Sequence, residues 1–401
     1  MGKWRNCVIA DIGTVVGGAT PSTKNSANYD DGHIAWITPK DLSTHEGRYI
    51  DRGERNISER GMHSCSTRLL PKNTVLFSSR APIGYIAIAS NELCTNQGFK
   101  SVVPNDDIDP LFLYYLLKYN KEKIENMGSG TTFKEVSGST MKNINVRLPI
   151  DKKEQITIAS ILGALDHRIE LNHTINKNLE EQAYVIFKSW FMDFDPWGGR
   201  MPAFWQGGTI ADIGQNIVCG KTPSTKREEY YGDDTPFITI PDMHSQIYVI
   251  KTARYLSLKG KKSQSTKTLP KNSVCVSCIG TAGLVSLTAY ESQTNQQINS
   301  IVPRNGISPY YIYYVMKGLS DTIQRLGSSG STIVNMNKTH FAKLDVIVPD
   351  TETMQKFDYD VKPLFDLILL NQITNTHLAS LREEILPNLM SGETDVSNIN
   401  F

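Results

Sequence analysis

No run of about 18 apolar residues occurs in this 401-residue chain, which excludes a membrane-spanning helix. Cysteine is scarce. Six cysteines in so long a chain make no disulfide framework, so the fold must rest on buried apolar surface. The opening Met1-Gly2-Lys3-Trp4-Arg5 leads into polar sequence and lacks the apolar region of a signal peptide. The expectation is a cytoplasmic protein. Catalytic signatures are missing too. There is no Gly-x-x-x-x-Gly-Lys-Ser/Thr phosphate loop, no Gly-x-Gly-x-x-Gly, no His-Glu-x-x-His, and no Asn/Asp-Pro-Pro-aromatic motif of a base-methylating site. Cys275-Val276-Ser277-Cys278 has the spacing of half a zinc site, but no second pair completes it. The eight histidines are scattered, and no nucleophile–base pairing can be argued. What remains is a recognition protein with no catalytic residue and no metal site.

What the chain does have is a repeat. Ile9-Ala10-Asp11-Ile12-Gly13 returns as Ile210-Ala211-Asp212-Ile213-Gly214, and Thr20-Pro21-Ser22-Thr23-Lys24 as Thr222-Pro223-Ser224-Thr225-Lys226. Leu70-Pro71-Lys72-Asn73 returns as Leu269-Pro270-Lys271-Asn272, and Thr95-Asn96-Gln97 as Thr294-Asn295-Gln296. The offset stays near 199 to 202 residues, far longer than a solenoid repeat. A whole unit is used twice. Net charge, only +1 overall, alternates with it: +3 over residues 1–150, −2 over 151–205, +6 over 206–349 and −6 over 350–401. Basic blocks suit a polyanion, and acidic blocks avoid one.

Each basic block holds short β-branched and aromatic runs bounded by turn formers, such as Ile34–Ile37, Thr74–Phe77, Tyr85–Ala89, Pro236–Ile240 and Ser273–Val276. These read as strands. A helix follows in each copy, Pro110 to Glu125 and Pro309 to Arg325, then a Gly/Ser/Thr loop and a last strand ending at Pro149 or Pro349. Each block is therefore an α+β domain. The acidic segments carry a different period. Ile158, Leu162, Leu165, Ile169, Asn172, Asn176, Leu179, Ala183, Ile186 and Trp190 step by four and three, a heptad seam. Phe357, Val361, Leu364, Ile368, Asn371, Asn375, Leu378, Arg382, Ile385 and Leu389 repeat it 199 residues later. Two long helices with like seams should pair, antiparallel if the repeat has pseudo-twofold symmetry. Pro363 should kink or delay the second helix, and Pro387 should end it within a turn. The two Asn pairs either lie buried and fix register, or sit exposed on slightly rotated helices.

This ordered set resembles the specificity subunit of Type I restriction–modification systems over essentially the whole chain. The resemblance rests on the repeated Ile-Ala-Asp-Ile-Gly opening, the Gly18/Thr20-Pro21 and Gly220/Thr222-Pro223 loops, and the two Thr-Asn-Gln turns. Pro149 to Gln155, Pro349 to Gln355, and Trp190-Phe191-Met192-Asp193-Phe194-Asp195-Pro196 add to it. It implies target recognition domains at 1–150 and 196–349, spacer helices at 151–195 and 350–392, and a tail at 393–401. Each domain would read one half of a bipartite site in double-stranded DNA. The paired helices would set the spacing and dock two methyltransferase subunits, with restriction/translocase subunits completing the complex. No cofactor would be bound directly; S-adenosylmethionine, ATP and Mg2+ would sit on partners. A helix of about 30 residues spans roughly 45 Å, or about 13 base pairs at about 3.4 Å each.

Phosphates call for Lys, Arg and hydroxyls, and base edges for Arg, Asn, Gln or Ser. The loop residues that supply such groups are Ser22, Lys24, Lys40, Arg80, Lys100, Thr131 and Thr132 in the first domain. In the second they are Ser224, Lys226, Arg227, Lys271, Ser331 and Thr332. Asn96-Gln97 and Asn295-Gln296 are turn residues or readers. Arg80 aligns with Ile279 and Lys100 with Asn299, differences through which two copies would read different bases. Two other classes stay open: a protein-binding scaffold without a DNA role, and the recognition half of a fused nuclease–methyltransferase.

Overall fold

The computed structural model describes residues 3–80, 82–129, 134–327 and 335–396. The chain divides into two compact units, and the division does not follow the repeat. One unit combines residues up to Glu170 with those from His377 onward; the other runs from Leu171 to Thr376. Both boundaries fall inside a long helix, Lys152–Phe191 or Thr351–Ser391. Each unit is thus one α+β block plus a stretch of each long helix. None of the helices is long and apolar enough to cross a membrane, among the described residues.

The first unit holds a five-stranded sheet in the order Gly13–Gly17, Lys100–Pro104, Val75–Phe77, Ile86–Ala89, Tyr49–Ile50, with only the last pair parallel. A second sheet pairs Ile34–Ile37 antiparallel to Arg55–Ile57 and parallel to Cys94–Thr95. The second unit repeats this order with Gly214–Cys219, Ile298–Pro303, Val274–Ser277, Val285–Thr288 and Tyr248–Val249. In each unit a two-stranded ribbon joins the start of the block to its end, Trp4–Val8 with Asn145–Pro149 and Gln206–Thr209 with Asp345–Val348. The repeated Ile-Ala-Asp-Ile-Gly opening is structural. It forms one helical turn, in which Asp11 accepts from Val8 N at 2.9 Å and Asp212 from Thr209 N at 2.7 Å. Its four isoleucines are fully buried.

Two local expectations are corrected. The strand at Pro236–Ile240 stops at Ile238, because the Thr239 amide and hydroxyl both donate to Asp242 and start a helix at Ile240. The single helix expected from Pro110 to Glu125 is two, Pro110–Tyr119 and Lys121–Asn126; the Asn120 side chain bonds back to Leu116 O at the break. The second copy breaks likewise, at Leu319.

The second long helix starts at Thr351, where Asp350 accepts from Thr353 N and Oγ1 and from Trp205 Nε1. Its onset is therefore not delayed by Pro363. That ring lies on the exposed face, together with Tyr359, whose carbonyl loses its helical partner to the proline and can bond water. The helix ends at Ser391, one turn past Pro387. Every seam position on both helices is buried or half-buried: Ile158, Leu162, Asn172, Asn176, Leu179, Ile368, Asn371 and Asn375 are buried, and Leu165, Ile169, Leu364, Leu378 and Ile385 are partly so. The buried stripe is wider than a two-helix seam because it also packs on the α+β block. Ile158 and Leu162 join Leu386 and Leu389 in the first core, and Phe187, Phe191, Phe357 and Phe365 join Tyr310 and Tyr311 in the second.

The four asparagines are buried, between 0% and 8% exposed. Asn172 Nδ2 donates to Asn375 Oδ1 at 2.7 Å, and Asn371 Nδ2 donates to Asn176 Oδ1 at 2.9 Å. Within this unit the partners run in opposite directions, so the helices pair antiparallel. In the first unit a charged layer takes over. Asp166 accepts from Arg382 across the helices and from Tyr115 OH at 2.6 Å. Arg48 grips Glu170 through its backbone amide, Nε and Nη2 at 2.9–3.0 Å. Burial pushes the Glu170 carboxyl up, but these hydrogen bonds prevail and hold it below the usual range.

Replacing Asn172 by Leu takes the Asn172 donor from the buried Asn375 Oδ1 and sets a methyl group against it. The single change should cost about 1–3 kcal/mol, whereas Asn172→Leu with Asn375→Leu should recover most of it. Chemical denaturation of the three variants measures this; additive losses would show that the two side chains do not act as a pair.

Candidate nucleic-acid interface

In each unit one loop is held over the end of the five-stranded sheet by the same set of bonds. Gly18 is required there, because a Cβ would lie 2.0 Å from Thr95 O; at Gly220 it would lie 2.1 Å from Asn295 O. The next residue bonds to the same turn, Ala19 N to Thr95 O at 3.0 Å and Lys221 N to Thr294 O at 2.9 Å. Thr20 then donates to Gln97 Oε1, and Thr222 to Gln296 Oε1 at 2.6 Å. Tyr29 OH holds Pro21 O at 2.7 Å, and Tyr231 OH holds Pro223 O at 2.8 Å. These anchors leave the loop tips outward. Ser22, Lys24, Ser224, Lys226 and Arg227 are all exposed. Arg227 also lies over the Tyr230 ring, with Nη1 bonded to the hydroxyl at 2.7 Å.

The Thr-Asn-Gln turns are scaffold. Asn96 Oδ1 accepts from Gly98 N, and Asn295 Oδ1 from Gln297 N, closing each turn, while the glutamines hold the loops. The turn in its own right organises the next segments. Ser79 N bonds Gly98 O and Val136 N bonds Ser79 O; Cys278 N bonds Gln297 O and Met336 N bonds Cys278 O. The ends of the late loops are thereby stitched beside the first loop. Arg80 belongs to this group, half-buried and bridged through its backbone to Glu135. Lys40 is exposed, pairs with Glu54 at 2.7 Å and follows Pro39, which abuts Gly98. Its counterpart in the second copy is Pro241.

Other candidates are placed differently. Lys100 is only 16% exposed at its side chain and pairs with Glu135 at 3.5 Å, while Asn299 is buried and donates to Met336 O at 3.2 Å. The Lys100/Asn299 difference therefore lies in how each copy holds its late loop. Lys271 sits in a turn with Asn272 at φ 64°, at the opposite end of strand Val274–Ser277 from Cys278 and outside the group. Thr131, Thr132, Ser331 and Thr332 lie outside the described residues. Cys275 and Cys278 are buried, and loss of solvation pushes their thiols up to about 12 and about 11. They are neutral packing groups. The short helices Glu59–His63 and Leu258–Ser263 border the loops and were not among the sequence candidates. Their signal was the return of Gly61 as Gly260 with cations at matching offsets.

The Type I restriction modification DNA specificity domain matches this chain twice, at residues 1–181 and 202–383. The chain belongs to that family. It is 33% identical over 415 residues to the Type I restriction enzyme MjaIX specificity subunit of Methanocaldococcus jannaschii, covering 99% of this chain and 94% of that one. It is 33% identical over 404 residues to the Type I restriction enzyme HindI specificity subunit of Haemophilus influenzae, covering 81% and 87%. The fold matches the crystal structure of the Type I restriction–modification S subunit from M. genitalium, with a TM-score of 0.61, 17% identity, and coverage of 99% and 97%. As a specificity subunit the chain recognises DNA sequence through two target recognition domains.

A methyl group at Gly220 meets a carbonyl that the loop itself is bonded beside. Gly220→Ala should cost about 1–3 kcal/mol through overpacking and weaken sequence-specific binding by displacing Ser224 and Lys226. Thermal unfolding and DNA titration of the same preparation measure both; unchanged affinity would mean that this loop does not touch DNA.

Proposed function

We propose that each recognition domain reads one half of a bipartite site in double-stranded DNA, while the long helices set the spacing and dock two methyltransferase subunits. One observation supports this most: two loop assemblies with identical anchors present different side chains. Arg80 stands where the other copy has Ile279, and Lys40 where it has Pro241. A shared scaffold with unlike tips is what reading two different half-sites requires. The subunit itself is non-catalytic. Its partners would supply S-adenosylmethionine and methyl transfer, and restriction/translocase subunits would add ATP and Mg2+ chemistry, in the cytoplasm where the DNA lies.

Exposed apolar side chains on the long helices suit protein docking. Tyr359 is 82% exposed, Val185 63% and Leu370 57%, within acidic segments that disfavour DNA. Removing matched heptads from both helices keeps the seam in phase and shortens each by about 10 Å. The methylated motif should keep both half-sites and lose about three base pairs of spacer. Altered half-sites with an unchanged spacer would overturn the helices' role.

A further inference from the structure

We infer that the short helices Glu59–His63 and Leu258–Ser263, each with the turn that follows, are clamps for the DNA backbone phosphates. The inference rests on the recognition reading above and adds a contact set to it. The first support is positional. Arg60, His63 and Arg68 return at the repeat offset of 199 as Lys259, Lys262 and Lys267. Two of these positions hold an arginine in one copy and a lysine in the other, Arg60 with Lys259 and Arg68 with Lys267, so the kind of cation changes and its position does not. A phosphate asks only for positive charge and a donor, whereas a base edge asks for a particular donor pattern, so a phosphate site tolerates such exchange and a base-reading site does not. The loop positions behave in the opposite way, with Lys40 against Pro241 and Arg80 against Ile279.

The second support is rigidity. Both helices are capped by a serine, with Ser58 Oγ accepting from Gly61 N and Ser257 Oγ from Gly260 N, each at 3.1 Å. Ser58 N bonds Asn28 O at 2.9 Å, and Ser257 N bonds Tyr230 O at 3.0 Å. Asn28 in turn holds Ser22 O, and Gln264 holds Lys221 O, each at 2.9 Å. A Cβ on Gly61 would lie 2.2 Å from Asn28 O, and on Gly260 2.0 Å from Tyr230 O. Each helix is therefore pressed onto the backbone that leads from the loop tip. The backbone that carries its charges is thus held against the segment leading from Ser22 or Ser224, as a phosphate contact must be held relative to a groove contact.

The third support is the state of the charges. Among the described residues, no carboxylate pairs with Arg60, Arg68, Lys262 or Lys267. Lys259 is partly compensated by Glu229 at 3.3 Å, and His63 faces Glu59 at 3.7 Å. The free members, Arg60 with Arg68 and Lys262 with Lys267, carry the clamp; Arg68 and Lys267 are equivalent in the repeat, whereas Arg60 matches the compensated Lys259 and Lys262 matches His63.

The test uses the full chain in complex with its methyltransferase subunits. Affinity is measured against salt for a duplex with the methylated site and for a scrambled duplex. Arg60→Ala/Arg68→Ala and Lys262→Ala/Lys267→Ala should each lower the salt slope by about 2. Affinity should fall by a similar factor on both duplexes, with the methylated motif unchanged, and Lys262→Arg/Lys267→Arg should keep the slope. An unchanged slope, a changed motif, or loss of the methyltransferase subunits would overturn the clamp. The last result would assign the helices to an acidic protein partner. If the unsubstituted complex prefers no split site over the scrambled duplex, the recognition reading fails instead; a preference with unaltered variants sinks the clamp alone.

Discussion

Two amide–amide hydrogen bonds constrain this molecule more than their number suggests. Asn172 with Asn375 and Asn176 with Asn371 are buried polar pairs flanked in the seam by Ile169, Leu179, Ile368 and Leu378, so only one register bonds all four to one another. A slip of one heptad toward the C-terminus would set Asn176 against Leu378, and one toward the N-terminus would set it against Leu364. Each leaves a buried amide unbonded, which costs more than the pair contributes when made. The seam is polar in the middle because register, more than stability, is what it must supply.

The same constraint explains how the compact units divide. Each core takes apolar side chains from both long helices, and the helices come from different repeats. Neither repeat completes a core by itself. The repeat is also not symmetric where it matters for pairing. Asp166 and Arg382 form a charged layer in the first unit, while the positions 199 residues away are Phe365 and Ala183, both apolar and buried in the second. Like-with-like pairing of either repeat would lose the Asp166–Arg382 match.

Most of the fold was legible in the sequence because two periods mark it plainly. Steps of four and three placed both helices, and short β-branched runs placed strands such as Ile34–Ile37, Val75–Phe77, Ile86–Ala89 and Val274–Ser277. What failed was local and had local causes. Thr239 looked like the continuation of a strand, and only its bonds to Asp242 reveal a helix start. Asn120 carries no breaking signal stronger than its side-chain bond to Leu116 O. Pro363 signals a delayed helix in one dimension, but the helix face it occupies is solvent. The site was legible only in outline. A residue type tells what a side chain can bond, not what already uses it. Lys100 is turned inward onto Glu135, and the Thr-Asn-Gln turns are consumed in holding their loops. The cations of the short helices passed unnoticed because single Arg and Lys residues are common on surfaces; their matched offsets carry the signal.

The central claim is that one chain reads two unlike half-sites at a set distance. Its most direct test is single-molecule sequencing of methylated DNA from a host carrying this chain with its neighbouring methyltransferase gene, against a host lacking the chain. The account predicts a new split motif, with methyladenine on both strands and two different half-sites. No new motif, with the methyltransferase present and folded, would contradict it and leave a protein-binding scaffold.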